Sequence, residues 1–338
     1  MATAWFVLLA FMLVMYIVLD GFDLGAGIVH LWIARDDRER RQVFAAIGPV
    51  WDGNEVWLIA AGGLMVFAFP RAYAVAFSGF YLPLMMVLWL FVLRGLSIEL
   101  RSHHENALWR QFFDVVFAGA SLLLALVFGA ALGNVVRGVP IDETGYFIGP
   151  LFTDFTPSDR PGALDWYTVT IGVMAIVVLA AHGARYLEWK LAGELSERAA
   201  RFGRIAWLAG GGLAAIVAIE TAIVRPALFG ELGGRPLAWV FIVAAIASLA
   251  YGLRTRELAG FVASCVTVAS LLATVAVVVF PHVLVSSVGE QWNLDTTTAA
   301  NGHDTLALGL VWWIPAILLA LGYFVYVFRS FRGKVSLD

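Results

Sequence analysis

The amino-acid sequence predicts an all-α integral membrane protein, and three observations lead to this fold class. Of the 338 residues, 61% are hydrophobic and only 14% are charged, whereas soluble domains have far more charge. The mean hydropathy is +0.84. Nine apolar segments are each long enough to cross a bilayer as a helix. The formal net charge of −3 argues against a nucleic-acid partner, and the single cysteine rules out an internal disulfide.

The nine predicted spans follow one another without a low-complexity linker, so we expect a single transmembrane domain over residues 1–338. They cover residues 4–33, 47–69, 74–97, 113–135, 164–189, 204–225, 237–253, 258–280 and 305–328. The second and third spans are predicted to be joined by a short turn, FPRAY. The longest connections, 136–163 and 281–304, are rich in Gly, Pro, Asp and Thr.

Basic residues in the connections predict the orientation. Fifteen Lys and Arg residues lie at the C-terminus and after odd-numbered spans, and five lie on the other side. Because basic residues concentrate on the cytoplasmic side of a membrane protein, we expect the N-terminus outside and the C-terminus in the cytoplasm.

Ionisable residues are concentrated in the predicted cytoplasmic halves of four spans. They are Asp20 and Asp23 in span 1, Asp52 and Glu55 in span 2, Arg94 in span 3, and His182, Arg185 and Glu188 in span 5. A central charge costs about 2.5–3.5 kcal/mol on insertion scales, so such residues normally face a bundle interior, a partner or water. Asp20 and Asp23 are expected to share one helical face, as are Asp52 and Glu55. The outer half has Glu220 as a counterpart.

This concentration of charge has three interpretations. The acids could form a buried ion-pair clamp with Arg94 and Arg185 that assembles the helices. The excess of acids over bases could instead form a chain of carboxylates that opens to the cytoplasm, which is the usual form of a proton inlet. Thirdly, the small residues of DGFDLGAG, residues 20–27, could break the first helix, as in secondary transporters. Asp20, Asp52 and Arg94 are expected to cluster at one depth, away from lipid.

Two histidines, His30 and His182, lie inside predicted spans and are candidate ligands for a haem iron, which needs an axial His, Met or similar group. They are lone histidines in different helices, and we therefore expect no haem or metal site in this chain. The other four histidines lie in connections, where a solvated side chain is more common than a ligand; they are His103, His104, His282 and His303.

Several motifs together resemble subunit II of the cytochrome bd-type quinol oxidases. They are DGFDLGAG in span 1, GPVWDGNEVWLIAAGG in span 2, FSGFY at the start of span 3 and GNVVRGVP after span 4. Two later stretches, AHGARYLEWKLAGEL and FPHVLVSS, fit the same family more loosely. The resemblance therefore extends over the whole chain and is densest in the first 140 residues.

The resemblance implies a fold and an activity. The family's oxidase, in the bacterial cytoplasmic membrane, takes electrons from quinol and reduces oxygen to water. Its haems, of type b and type d, or type b in place of d, belong to subunit I, which subunit II stabilises. The implied fold is two four-helix bundles plus one extra helix.

The resemblance also implies partners and roles for individual residues. The partners would be subunit I, small single-helix accessory subunits, membrane lipid and quinone. Acids and an arginine that match Asp20, Asp23, Asp52 and Arg94 are proposed in the family to bring protons inward, and Glu55 lies beside them. Two alternatives remain open: a secondary transporter with a broken first helix, and a purely structural bracing subunit.

Overall fold

A computed structural model describes residues 1–335, which form twelve α-helices and one small sheet. The last three residues of the expected domain 1–338 lie outside the described residues. The helices are α1 (Ala2–Ile33), α2 (Asp37–Ile47), α3 (Trp51–Ala68), α4 (Pro70–Gly79), α5 (Tyr81–Leu100), α6 (Ala107–Arg137), α7 (Trp166–Lys190), α8 (Gly193–Val224), α9 (Pro226–Leu232), α10 (Pro236–Gly252), α11 (Glu257–Val279) and α12 (His303–Ser330). Strands β1 (His282–Leu284) and β2 (Leu294–Asp295) pair antiparallel, and 3₁₀ turns cover Arg101–His103 and Glu290–Trp292.

Seven of these helices are long and apolar enough to cross a membrane, or eight if the sharply bent pair α9 and α10 forms one span. The seven are α1, α5 with its following 3₁₀ turn, α6, α7, α8, α11 and α12. The expected span 47–69 corresponds to α3, an 18-residue helix. Its first turns contain Asp52, Asn54 and Glu55. These polar residues lower its mean hydropathy, so α3 is not among the seven helices. The chain is therefore a multi-pass membrane protein.

The structure corrects two expected connections. FPRAY is not a turn, because Pro70 begins helix α4 directly after Phe69, and proline suits a first helical position where no backbone N–H is needed. The expected span 74–97 is thus divided between α4 and α5. Helix α2 was not predicted; Asp36 caps it by accepting a hydrogen bond from the backbone N–H of Glu39 at 2.8 Å.

Helix α1 lies at the centre of the packing, against α3, α6, α7 and α11. It is continuous through DGFDLGAG, so the interpretation that this segment breaks the helix is wrong. The small residues instead admit neighbouring helices. A Cβ on Gly25 would lie 1.9 Å from the carbonyl oxygen of Leu179, and one on Gly183 would lie 2.3 Å from the backbone nitrogen of Ala26. The backbones of α1 and α7 are therefore in contact.

We expect Gly25→Ala to destabilise the protein, because the added methyl group has no space against α7 and overpacking costs about 1–3 kcal/mol. The measurement is the melting temperature and yield of the purified complex. Gly212→Ala in α8 is the matched control, since its methyl group would meet nothing within 4 Å. If Gly25→Ala melted at the parental temperature, the close approach of α1 and α7 would be refuted.

Candidate functional site

The centre of the candidate site is the ion pair of Arg94, on α5, with Asp20, on α1. Both residues are fully buried. Arg94 Nη1 donates to Asp20 Oδ2 at 2.9 Å, and Nη2 donates to Oδ1 of the same carboxylate. Glu55 of α3 lies on the other side, with its Oε2 atom 3.7 Å from Arg94 Nη1. One cation thus holds acids from two other helices. We call Asp20, Asp23, Asn54, Glu55 and Arg94 the Arg94 cluster.

Asp23 is the member of the Arg94 cluster whose charge is least compensated. It is fully buried, and its Oδ2 atom accepts a hydrogen bond of 2.7 Å from the side-chain amide of Asn54. Its Oδ1 atom and the amide oxygen of Asn54 are buried and have no hydrogen-bond partner among residues 1–335. A buried carboxylate whose partner is neutral is expensive to keep ionised. Asp23 is therefore suited chemically to exchange a proton.

The structure does not bring Asp52 into contact with Arg94. Asp52 lies on the exposed surface of this chain, and the ion pairs of Arg94 are with Asp20 and Glu55 instead. Three residues turn a helix by about 300°, so Asp52 and Glu55 differ in direction by about 60°. This difference is enough to place Glu55 at the edge of the buried cluster and Asp52 outside it.

The structure divides the expected secondary cluster on α7. Arg185 Nη1 donates to Glu188 Oε2 at 2.9 Å, and Glu188 Oε1 accepts from Arg256 Nε at the same distance. Arg185 Nη2 donates to a backbone carbonyl of α10 at 2.8 Å. The Glu188 and Glu197 carboxylates, through hydrogen bonds, raise the pKa of the Arg256 guanidinium. Arg185 therefore neutralises Glu188, and the clamp of Arg94 and Arg185 on one set of acids is not formed.

His182 has hydrogen-bond partners other than Arg185 and Glu188. Its Nε2 atom donates to the carbonyl oxygen of Val18 at 2.9 Å, and its Nδ1 atom lies 2.7 Å from Ser264 Oγ. These contacts join α7 to α1 and α11. His30 Nδ1 donates to a carbonyl of its own helix at 2.7 Å, and both histidines are fully buried. That this chain ligates no haem iron stays a prediction.

A second buried ionic network was missed by sequence reasoning. Asp114 of α6 is fully buried and accepts hydrogen bonds from Arg101 Nε at 2.5 Å and Arg40 Nη1 at 2.9 Å. Arg101 also donates to Asp37 of α2 at 3.0 Å, and His30 Nε2 lies 3.8 Å from Asp114 Oδ1. Asp114, a lone acid at the start of the apolar span 113–135, was the feature of the sequence that could have indicated this network. The network joins α2 to three membrane helices and leaves no uncompensated acid.

The motif GNVVRGVP forms a buried clamp on the predicted outer side. Arg137 pairs with Asp165, the residue that caps α7, and donates to Asn134 Oδ1 at 2.6 Å. Gly138 has a φ of +102°, which favours glycine, and it directs the chain towards the 285–287 segment. This motif therefore has a structural explanation that is separate from the Arg94 cluster.

We expect Asp20→Asn to lower stability by roughly 3–5 kcal/mol, because removing one partner of a buried pair leaves the other charge uncompensated. Melting temperature and complex yield are the measurements. The double variant Asp20→Asn with Arg94→Met should recover part of the loss, since no buried cation then remains. Glu99→Gln, an exposed acid on the same helix as Arg94, is the control and should change neither quantity. A double variant no more stable than Asp20→Asn alone would contradict this account.

The chain matches known proteins along almost its whole length. The family model described as "Cytochrome bd terminal oxidase subunit II" matches residues 1–331. The chain is 31% identical to the "Probable cytochrome oxidase subunit 2" of Haemophilus influenzae, over 98% of this chain and 94% of that protein. It is 28% identical, with the same coverage, to the "Cytochrome bd-I ubiquinol oxidase subunit 2" of Escherichia coli.

A solved structure has a similar fold. A chain of the bd oxidase from Geobacillus thermodenitrificans superposes with a TM-score of 0.71 at 18% identity, and the match covers 98% of each chain. At this identity the likeness concerns the fold alone. Together with the family match, it leads to one conclusion: the chain belongs to the cytochrome bd terminal oxidase subunit II family, and is thus a membrane subunit of a respiratory oxidoreductase.

Proposed function

We propose that this chain is the subunit of a quinol:oxygen oxidoreductase that ligates no haem and supplies the cytoplasmic proton inlet of the complex. The haems, of type b and type d or of type b alone, belong in this proposal to subunit I, and the site of action is the bacterial cytoplasmic membrane. The Escherichia coli relative is named a ubiquinol oxidase, which supports a quinol as the substrate of the complex.

The observation that supports an inlet most directly is the free carboxylate oxygen of Asp23. Buried polar atoms are almost always hydrogen-bonded, to protein or to water. Along one side of α1, the hydroxyl of Tyr16 and Asp23 Oδ1 are buried without a partner among the described residues, and Asp20 lies between them. The eight residues from Tyr16 to Asp23 extend over about 10 Å of helix. Tyr16, Asp20 and Asp23 form a row of groups that can pass a proton or hold a water molecule.

In this proposal each acid of the cluster has a distinct task. Asp52, at the exposed start of α3, takes a proton from water on the predicted cytoplasmic side. Glu55, one turn further along α3, is partly exposed and lies beside Arg94, so it can receive that proton and pass it inwards. Arg94 holds Asp20 as a fixed carboxylate, and Asp23 exchanges the proton. Oxygen reduction at the haems consumes the protons that arrive.

The architecture proposed with this function is a single domain over residues 1–338. Nine spans form two four-helix bundles plus one extra helix, with the N-terminus outside. The similarity to the Geobacillus chain over 98% of this chain supports the overall fold. We also propose that the subunit stabilises subunit I, with small accessory subunits as further partners. A purely bracing role is the second candidate, and it is favoured by the two hydrogen bonds that fix Asp20 to Arg94.

The test that separates proton delivery from bracing is Asp52→Asn, because the exposed position of Asp52 leaves Arg94 paired in the variant. The complex should assemble with normal haem content. Oxygen consumption per haem should fall by about 100-fold, the low end of what a positioned proton donor contributes. The loss should be greatest at high pH, where protons from bulk water are scarcest. The measurement is oxygen consumption per haem from about pH 6 to 9.

Asp23→Asn should behave in the same way if both residues are on one path, and Glu99→Gln should leave turnover unchanged. If Asp52→Asn and Asp23→Asn both kept parental turnover per haem over the whole pH range, the bracing role would be the better account.

A further inference from the structure

A cavity of about 290 Å³ lies where α7 and α12 end, on the predicted cytoplasmic side. This volume is near the lower limit of small-molecule pockets, roughly 300–1,000 Å³. The cavity lies between three segments: the end of α2 with its connection to α3 at 45–50, the end of α7 at 186–190, and the C-terminal segment 328–335. We call it the C-terminal cavity. None of the residues that line it belongs to the Arg94 cluster.

The charged residues that line the C-terminal cavity are all cations: Lys190, Arg332 and Lys334. Lys190 is only 6% exposed and donates to two backbone carbonyls of the C-terminal segment, at 2.6 and 2.9 Å. It forms no ion pair within the described part of the chain. Lys334 Nζ lies 3.0 Å from Glu257 Oε1. Within residues 1–335 no acid lines the cavity, and a cavity with a buried cation is suited to an anion.

The ends of the helices do not neutralise these cations. The carbonyl end of a helix is equivalent to about half a negative charge, so the ends of α7 and α12 contribute about one charge. With the carboxylate of Glu257, this leaves an excess of about one positive charge around the cavity, counted over residues 1–335. An anionic group with a single negative charge would match that excess.

The C-terminal cavity also lies at the ends of two helices that can cross a membrane, where lipid headgroups are expected. Both α7 and α12 are candidate membrane spans, and they end at Lys190 and Ser330. Aromatic residues line the cavity, as is common at membrane interfaces. The Lys190 ammonium lies over the ring of Trp189, 5.2 Å from its centroid, and Phe331 is 53% exposed. Exposed apolar residues continue along α12, among them Tyr326 and Leu319. A ligand there would meet cations at one end and apolar surface at the other.

We propose that the C-terminal cavity binds the phosphodiester headgroup of an anionic phospholipid from the adjacent leaflet. The phosphate lies against Lys190 and Arg332, and the acyl chains lie along the exposed face of α12. The bound lipid joins the connection between α2 and α3 to the C-terminal segment. Free phosphate shares the headgroup chemistry but has no acyl chains to contact α12, so the two sources are separable.

The experiment uses the purified complex of both subunits in detergent. Phosphatidylglycerol, phosphatidylcholine and inorganic phosphate are added in turn, while the melting temperature is recorded and retained lipid is counted by native mass spectrometry. We expect phosphatidylglycerol to raise the melting temperature and to be retained, and the other two to do neither. Equal effects of phosphatidylglycerol and phosphatidylcholine would overturn the anionic preference, and an equal effect of inorganic phosphate would overturn the lipid as the source.

The variant Arg332→Gln assigns the effect to the C-terminal cavity. Arg332 is exposed, so its replacement should leave the fold intact while weakening the binding of phosphatidylglycerol about fivefold, as expected for one basic residue near an anionic lipid. Arg329→Gln is the matched control, because Arg329 is exposed three residues earlier and does not line the cavity. Equal weakening by both variants would show a nonspecific surface charge effect and would refute the proposed site.

Discussion

The rest of the structure depends on the neutralisation of one buried guanidinium. Arg94 cannot reach water from its position on α5, so a neighbouring buried acid must neutralise its charge. Both carboxylate oxygens of Asp20 accept hydrogen bonds from Arg94. This contact fixes the rotation of α1 about its own axis. With Asp20 turned towards α5, Gly25 is turned towards α7 and Gly27 towards Ser121 of α6. One ion pair thereby determines which face of α1 packs against each neighbouring helix.

Three buried ionic groups differ in how completely their charges are compensated. Around Asp114 two arginines donate to one carboxylate, and Arg137 is matched by Asp165. Both arrangements are explained by packing alone. The Arg94 cluster has more acids than bases, and Asp23 is paired with an amide. This imbalance is the physical basis for the proton function that we propose for α1 and α3.

The long apolar helices and the presence of acids within them could be predicted from the sequence, because apolar length and charge within an apolar segment are local properties. The direction of each acid could not. Asp52 and Glu55 are one turn apart, yet one is exposed and the other contacts Arg94, since the direction of α3 relative to α5 depends on tertiary packing. From the sequence, Arg185 could pair either with the acids of α1 or with Glu188 on its own helix. In the structure it pairs with Glu188. Helix α2 was not predicted because its capping Asp36 and its charged first half are also typical of a solvated connection.

The backbone contact of α1 with α7 has a dynamic consequence. Two helices that meet at glycine without intervening side chains have few alternative packings, so they move as one rigid body. The positions of Asp20 and Asp23 relative to α7 are therefore fixed. Helix α3 packs on α1 through side chains such as Trp57. Its Asp52 side chain is exposed and its Glu55 side chain is partly exposed, and exposed side chains change rotamer on fast timescales. The adjustable part of the site is thus the polar first turn of α3, and gating there would require rotation of a few side chains and no displacement of a membrane helix.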